Sequence, residues 1–100
     1  MAKPGKLGSM MRLKEEFEKM QREIENTEFT ASAGGGAVTA TLKGTRTLQS
    51  VVIDPEVLDP EELEMLQDMI VAAVNEAIAK ADAATNAAMS RLAPMGGGMF

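Results

Sequence analysis

Three features of the sequence predict an α+β fold in the order α-β-β-β-α, with a three-stranded antiparallel sheet between two long terminal helices. Met10, Leu13, Phe17, Met20 and Ile24 recur at spacings of three and four, the seam of a helix. From Phe29 to Ile53 the period falls to two and glycines interrupt it twice. Beyond Asp59-Pro60 the helical period returns and runs from Leu63 to Ala88.

The first helix is expected from Ser9 to Asn26. Its apolar stripe is narrow, which suits contact with one partner helix better than immersion in a broad core. Glu15 with Lys19 and Glu18 with Arg22 are i, i+4 pairs in the favourable orientation, each worth a few tenths of a kcal/mol. Ahead of it, residues 1–8 (MAKPGKLG) read as a mobile basic arm, because proline, two glycines and two lysines leave nothing periodic to pack.

Phe29, Ala31 and Ala33 alternate with Thr30 and Ser32, and Val38, Ala40 and Leu42 alternate with Thr39, Thr41 and Lys43. A third run, Arg46 to Ile53, follows Gly44-Thr45. These are three short strands of an antiparallel meander whose polar face is wet. Gly34-Gly35-Gly36 leads from strand to strand and has neither the helix nor the lysine of a phosphate-binding loop, so it reads as a hairpin turn.

Val51, Val52 and Ile53 end at Asp54-Pro55, where proline cannot donate to a ladder. Asp59 is then a helix N-cap, Pro60 occupies the first helical position, and Glu62 completes a capping box. From Pro60 to Arg91 the second helix would span about 48 Å, longer than a compact domain of this size is wide. Its main stripe thins from Leu63, Leu66 and Ile70 to Ala77, Ala81, Ala84 and Ala88, so the first half packs on the sheet. The alanine half admits another helix or projects into solvent. A second stripe, Met65, Met69 and Ala72, is either core or a dimer surface. Asp54 reads as a turn-capping acid and Asn75 as a polar group that satisfies the backbone of a neighbouring loop.

One domain, 1–92, followed by a disordered Gly/Met-rich tail at 93–100, accounts for the 100 residues. Hydrophobic residues make up 45% and charged residues 25%, ordinary for a folded protein, but three aromatics and abundant alanine make the core small. Association with a second copy is the natural remedy. With no cysteine and no histidine, disulfides, thiolate nucleophiles, the usual zinc sites and His-based catalysis are all excluded. The carboxylates of Asp59 to Glu64 serve helix capping and the macrodipole. No enzyme, metal site or cofactor is expected. No apolar run is long enough to span a membrane and no signal-peptide core precedes the first helix, so a cytoplasmic protein is expected.

The net charge of −5 conceals a sorted distribution. Residues 1–14 carry Lys3, Lys6, Arg12 and Lys14 with no acid, whereas residues 54–68 carry seven acids and no base. Two functions fit this pattern. Basic segments can grip a polyanion, and the acidic 54–68 surface with Met65 and Met69 can serve as a protein-interaction module.

Four stretches, taken together, resemble the YbaB/EbfC family of small bacterial nucleoid-associated proteins. They are MMRLKEEFEKMQREIE, GGGAVTATLKG, VVIDPEVLD with its acidic helix start, and IVAAVNEA. The resemblance covers most of the length and is carried above all by Ile53-Asp54-Pro55 with Leu58 and by Ala72-Ala73-Val74-Asn75. It implies a homodimer with helices projecting in a tweezer-like arrangement, located in the cytoplasm at the nucleoid. It also implies binding of double-stranded DNA by bases on and near the terminal helices, with modest sequence preference.

The chain departs from strongly DNA-binding members in that its second helix offers only Lys80 and Arg91 and its tail offers no base. Phosphate contact therefore falls mainly on Lys3, Lys6, Arg12, Lys14, Lys19 and Arg22, although Lys19 and Arg22 can equally serve Glu15 and Glu18. Met10, Leu13, Phe17, Met20, Ile24, Met65 and Met69 are the expected packing and dimer residues. The alternative function is docking of recombination or replication proteins on the acidic surface.

Overall fold

In a computed structural model, the described residues are 5–92, with side chains described from residue 8. Helix α1 (Gly5–Asn26) leads into strands β1 (Glu28–Ala33), β2 (Val38–Lys43) and β3 (Leu48–Ile53), and helix α2 (Leu63–Leu92) closes the order. The strands form one antiparallel sheet in the order β1-β2-β3. The predicted α-β-β-β-α fold is the observed one.

Alternation decides which side of the sheet is dry. Phe29, Ala31 and Ala33 lie opposite Leu42, Ala40 and Val38, and Ala40 and Val38 in turn lie opposite Val51 and Ile53. Side chains alternate along a strand, so all of these share one face. Ala31, Val38, Ala40 and Leu42 are buried there beneath Ala73, Ala77 and Ala81 of α2. Alanine at those three helical positions brings the helix close to the sheet, and Val38 and Leu42 fill the space left between them. The opposite face is hydroxyl-lined: Thr30 and Thr41 hydrogen bond at 3.1 Å, and Ser32 and Thr39 at 3.0 Å.

Boundaries differ from the sequence expectation in four places, each for a local reason. Helix α1 begins at Gly5, so residues 5–8 of the expected arm are helical. The only residue there that would break a helix is Pro4, and it precedes the first turn. Strand β1 begins one residue early, at Glu28, which pairs with Lys43. Strand β3 begins at Leu48, not Arg46, because Arg46 takes a left-handed turn conformation (φ 68°). The second helix is preceded by two short 3₁₀ turns, Pro55–Val57 and Pro60–Glu62, and becomes α-helical at Leu63.

Those turns have their own caps. The Asp54 carboxylate accepts the Glu56 N–H at 3.0 Å, as expected of a capping acid. The Asp59 carboxylate accepts the Glu61 N–H at 2.9 Å, while its carbonyl accepts from Glu62 at 2.9 Å. That i→i+3 bond winds the first turn tighter than an α-helix. Among the described residues the Glu62 side chain does not supply the reciprocal half of the expected capping box.

The hairpin turn between β1 and β2 places Gly34, Gly35 and Gly36 all at positive φ, a conformation open to glycine at no steric cost. Gly44 serves a different purpose. A Cβ there would overlap the carbonyl of Ile24, so its bare backbone lets the end of α1 sit directly on the β2–β3 turn. The molecule is long, 76 × 27 × 15 Å, with a radius of gyration of 19.7 Å against about 13 Å for a compact chain of this length. The two helices make it so.

Candidate nucleic-acid interface

Helices α1 and α2 run antiparallel beyond the sheet. Near the sheet, Met20 and Ile24 stand beside Ala84 and Ala88; further out, Leu13 and Phe17 stand beside Met89 and Leu92. The narrow seam therefore meets the alanine half of α2, whose small side chains admit the second helix. Contact weakens outwards: Ile24 and Met20 are partly buried, Phe17 and Leu13 are exposed, and Met10 is 66% exposed. Helix α2 ends beside Leu13 and Lys14, so the first turns of α1 extend beyond it, and this end of the helix pair is the distal tip.

The charges at the very start and end of the sequence are positive, although Glu15 and Glu16 directly follow Lys14 on α1. Residues 1–14 contain Lys3, Lys6, Arg12 and Lys14, and residues 83–100 contain only Arg91. Arg12, Lys14 and Arg91 are exposed; Lys14 borders the pocket shared with Met89 and Leu92, whereas Arg91 borders a neighbouring one with Met20 and Glu23. Lys3 and the side chain of Lys6 lie outside the described residues, as does the tail 93–100. The seven acids of residues 54–68 stand at the other end of α2, about 40 Å from Arg91 along the helix axis. The separation is partial, because Glu15, Glu16, Glu18, Glu23 and Glu25 follow the basic residues along α1.

The remaining predicted bases are placed differently. Lys19 and Arg22 are exposed on α1 among Glu15, Glu16, Glu18, Glu23 and Glu25. Neither forms an ion pair within 4.0 Å, the single such pair among the described residues being Arg46–Asp82. Lys80 points away from the tip and donates from Nζ to the Thr30 carbonyl at 2.8 Å. That contact ties α2 to β1.

The apolar stripe of the second helix also divides. Met69 packs over Gly34 against the cluster around Val38, whereas Met65 and Ala72 are exposed. Asn75, expected to satisfy a loop backbone, is exposed, and its side chain makes no hydrogen bond among the described residues. Arg46, Leu48 and Val71 carry interactions or exposed apolar surface that the sequence did not single out. Arg46 bonds both the Gly44 carbonyl and Asp82, and its only sequence signal is a turn that says nothing of a partner on α2.

A model of the YbaB/EbfC DNA-binding family matches residues 3–98. The chain belongs to this family. Among its relatives, a nucleoid-associated protein of Clostridium acetobutylicum is 46% identical over 92 residues, covering 88% of this chain and 82% of the relative. One of Lachnospira eligens is 49% identical over 84 residues, covering 80% and 72%. One of Nocardia farcinica is 42% identical over 92 residues, covering 92% and 81%. A crystal structure of an uncharacterized protein of Helicobacter pylori superposes with a TM-score of 0.68 at 26% identity, covering 92% of this chain and 99% of that one.

For a YbaB/EbfC member, this geometry offers point charges and little else. The tip carries no cluster of arginine, asparagine and glutamine of the kind that reads base edges. Among the described residues no group of three or more acids is placed to hold a metal ion, and no helix is long and apolar enough to cross a membrane.

Proposed function

We propose that this YbaB/EbfC protein binds double-stranded DNA in the bacterial nucleoid as a homodimer, gripping phosphates with the basic distal tips of its two subunits. The observation that carries this reading is the acid-free basic stretch that leads into the outer part of α1. Arg12 and Lys14 are exposed on the outer part of α1, Lys3 and Lys6 precede them in the sequence with no acid between, and the seven acids of residues 54–68 lie towards the other end of α2. A net charge of −5 would otherwise repel a polyanion, so segregation is what allows binding. Two subunits double the tip, and contacts made by lysine and arginine to phosphate give affinity with little sequence preference.

The exposed apolar side chains near the acids support a second reading. Leu58 and Leu63 are exposed and line a pocket with Pro60 and Leu66, rimmed by Asp59 and close in sequence to Glu56, Glu61, Glu62 and Glu64. Such a surface suits a basic, amphipathic partner protein, for instance a recombination or replication factor.

Fluorescence anisotropy on random-sequence duplex at several salt concentrations tests the first reading and separates it from the second. Neutralising Lys3, Lys6, Arg12 and Lys14 weakens DNA binding if the tip is the site. Reversing Glu61, Glu62 and Glu64 leaves or improves DNA affinity while removing protein partners. Absence of wild-type binding at low salt overturns the DNA reading.

A further inference from the structure

The outer part of α1 carries apolar side chains that the helix pair leaves in water. Helix α2 ends at Leu92, beside Leu13, so Met10 and Met11 lie further out than its last described residue. Exposure rises outwards along the seam, from 36% at Phe17 through 48% at Leu13 to 66% at Met10, and Met11 is 60% exposed. Lysine and arginine need no such surface to hold a phosphate. Exposed apolar side chains gathered at one place mark an interaction site.

Helical geometry sorts the charges around these side chains. At about 100° per residue, Leu13, Met10, Lys14 and Met11 follow one another around less than half of the helix. Glu15 and Glu16 fall on the other side together with Arg12, which stands four residues from Glu16. The first acid on the apolar side is Glu18, one turn inward from Lys14. The patch thus has a lysine at its middle and its nearest acids turned away. A lysine so placed lays its methylene stem along the apolar surface and keeps its ammonium at the rim. Ahead of the patch the sequence adds Lys3 and Lys6 and no acid.

We propose that this patch gives the protein a further binding function, docking on the surface of an anionic lipid bilayer. Met10, Met11 and Leu13 enter the boundary between headgroups and acyl chains, and Lys14, with Lys3 and Lys6, meets the headgroup phosphates. Bases beside exposed apolar side chains on one helix face are what an interfacial contact requires. A phosphate array alone rewards only the bases, whereas a lipid surface rewards both sets. Among the described residues no helix is long and apolar enough to cross a membrane, so the contact is peripheral and reversible. The acids of residues 54–68 are repelled by an anionic surface, so the molecule stands on this end. Lys3, Lys6 and Lys14 are also among the bases proposed to grip DNA, so lipid and duplex exclude one another at a given tip. The lipid reading does not depend on the DNA reading, because the apolar side chains distinguish it.

Flotation of the full chain with vesicles tests the proposal. Vesicles of phosphatidylglycerol and phosphatidylcholine in equal parts are expected to bind it at low salt, and vesicles of phosphatidylcholine alone at least tenfold more weakly. Met10→Ser combined with Met11→Ser changes only exposed side chains. It is expected to weaken vesicle binding at least tenfold and to leave duplex affinity unchanged. Lys14→Ala is expected to weaken vesicle binding about fivefold. Because the chain has no tryptophan, Met11→Trp gives a single emitter, whose fluorescence is expected to shift to the blue on anionic vesicles. Met65→Trp, towards the other end of α2, is expected to show no shift. Inorganic phosphate at matched ionic strength is expected to leave the bound fraction unchanged. No flotation with anionic vesicles, flotation that survives the double methionine variant, release by inorganic phosphate, or a blue shift at residue 65 in place of 11 overturns the proposal and leaves the DNA reading standing. Flotation as expected from a protein that binds no duplex overturns the DNA reading and leaves this one.

Discussion

Arg46 reaches across 36 positions of sequence to Asp82, with Nη2 2.5 Å and Nε 3.1 Å from the same carboxylate oxygen. A third bond, from Nη1 to the Gly44 carbonyl, folds the side chain back over its own turn. One residue therefore fastens the β2–β3 turn to the middle of α2, at the level where α1 also arrives. Both partners are substantially exposed, so the ion pair itself contributes little, at most about 1 kcal/mol. Arg46→Ala is expected to cost about 1 kcal/mol in urea unfolding, and Asp82→Ala about as much. The double variant should cost less than the sum, because both remove the same interaction. Arg46→Gly should cost less than Arg46→Ala, since a residue at φ 68° is relieved by glycine.

Gly44 is predicted to be the least replaceable glycine. Its missing Cβ is where the backbone of Ile24 passes, and its N–H donates to the Thr27 carbonyl at 3.1 Å, so α1 and the turn meet without an intervening side chain. Gly44→Ala forces backbone against backbone and should destabilise the protein by about 2 kcal/mol or more, the range of an overpacked interior. Gly35, in open space at φ 67°, supplies the control. Gly35→Asn should cost less than about 1 kcal/mol, because asparagine tolerates the left-handed region. Thermal unfolding of the two variants side by side decides it.

The contrast between these residues and the helices explains what could be read in advance. Period and punctuation are local properties, so the seam at Met10 to Ile24, the alternation from Phe29 and the Asp59-Pro60 joint showed all five elements and their order. The family resemblance rested on those same stretches. Contacts between distant positions leave no such trace: nothing near Arg46 points to Asp82, and nothing near Lys80 distinguishes a lysine that grips a strand carbonyl from one that faces DNA. Charge sorting along the chain carries over into space only in part: Lys14 does reach the end of α2, but Arg91 stands beside Glu23, a proximity that no local pattern announces.

Packing of α2 on the sheet gives a further prediction. Ala77 is fully buried against the cluster of Ala31, Leu42 and Ala81, so there is no room for a larger side chain without lifting the helix. Ala77→Leu should cost about 1–3 kcal/mol by overpacking. Leu42→Ala, emptying the same cluster, should cost about 2–5 kcal/mol. Val52→Ala on the exposed face of β3 should stay within about 0.5 kcal/mol in monomer stability. Urea midpoints at constant protein concentration measure all three.

Lys80 and Lys14 make opposite predictions for DNA, although the sequence places both among the bases. The Lys80 ammonium is engaged with the Thr30 carbonyl, roughly 17 Å back along α2 from Arg91, whereas Lys14 is exposed at the tip. If phosphates are gripped at the tip, Lys14→Ala weakens duplex binding and lowers the slope of log affinity against log salt by about 0.9 for each phosphate that is no longer neutralised. Lys80→Ala should leave that slope unchanged and instead expose the β1 edge, showing itself as association at high protein concentration. Anisotropy titrations at three salt concentrations, with light scattering on the same samples, separate the two outcomes. An equal drop in salt dependence in both variants would mean that the binding surface extends down α2 and is not confined to the tip.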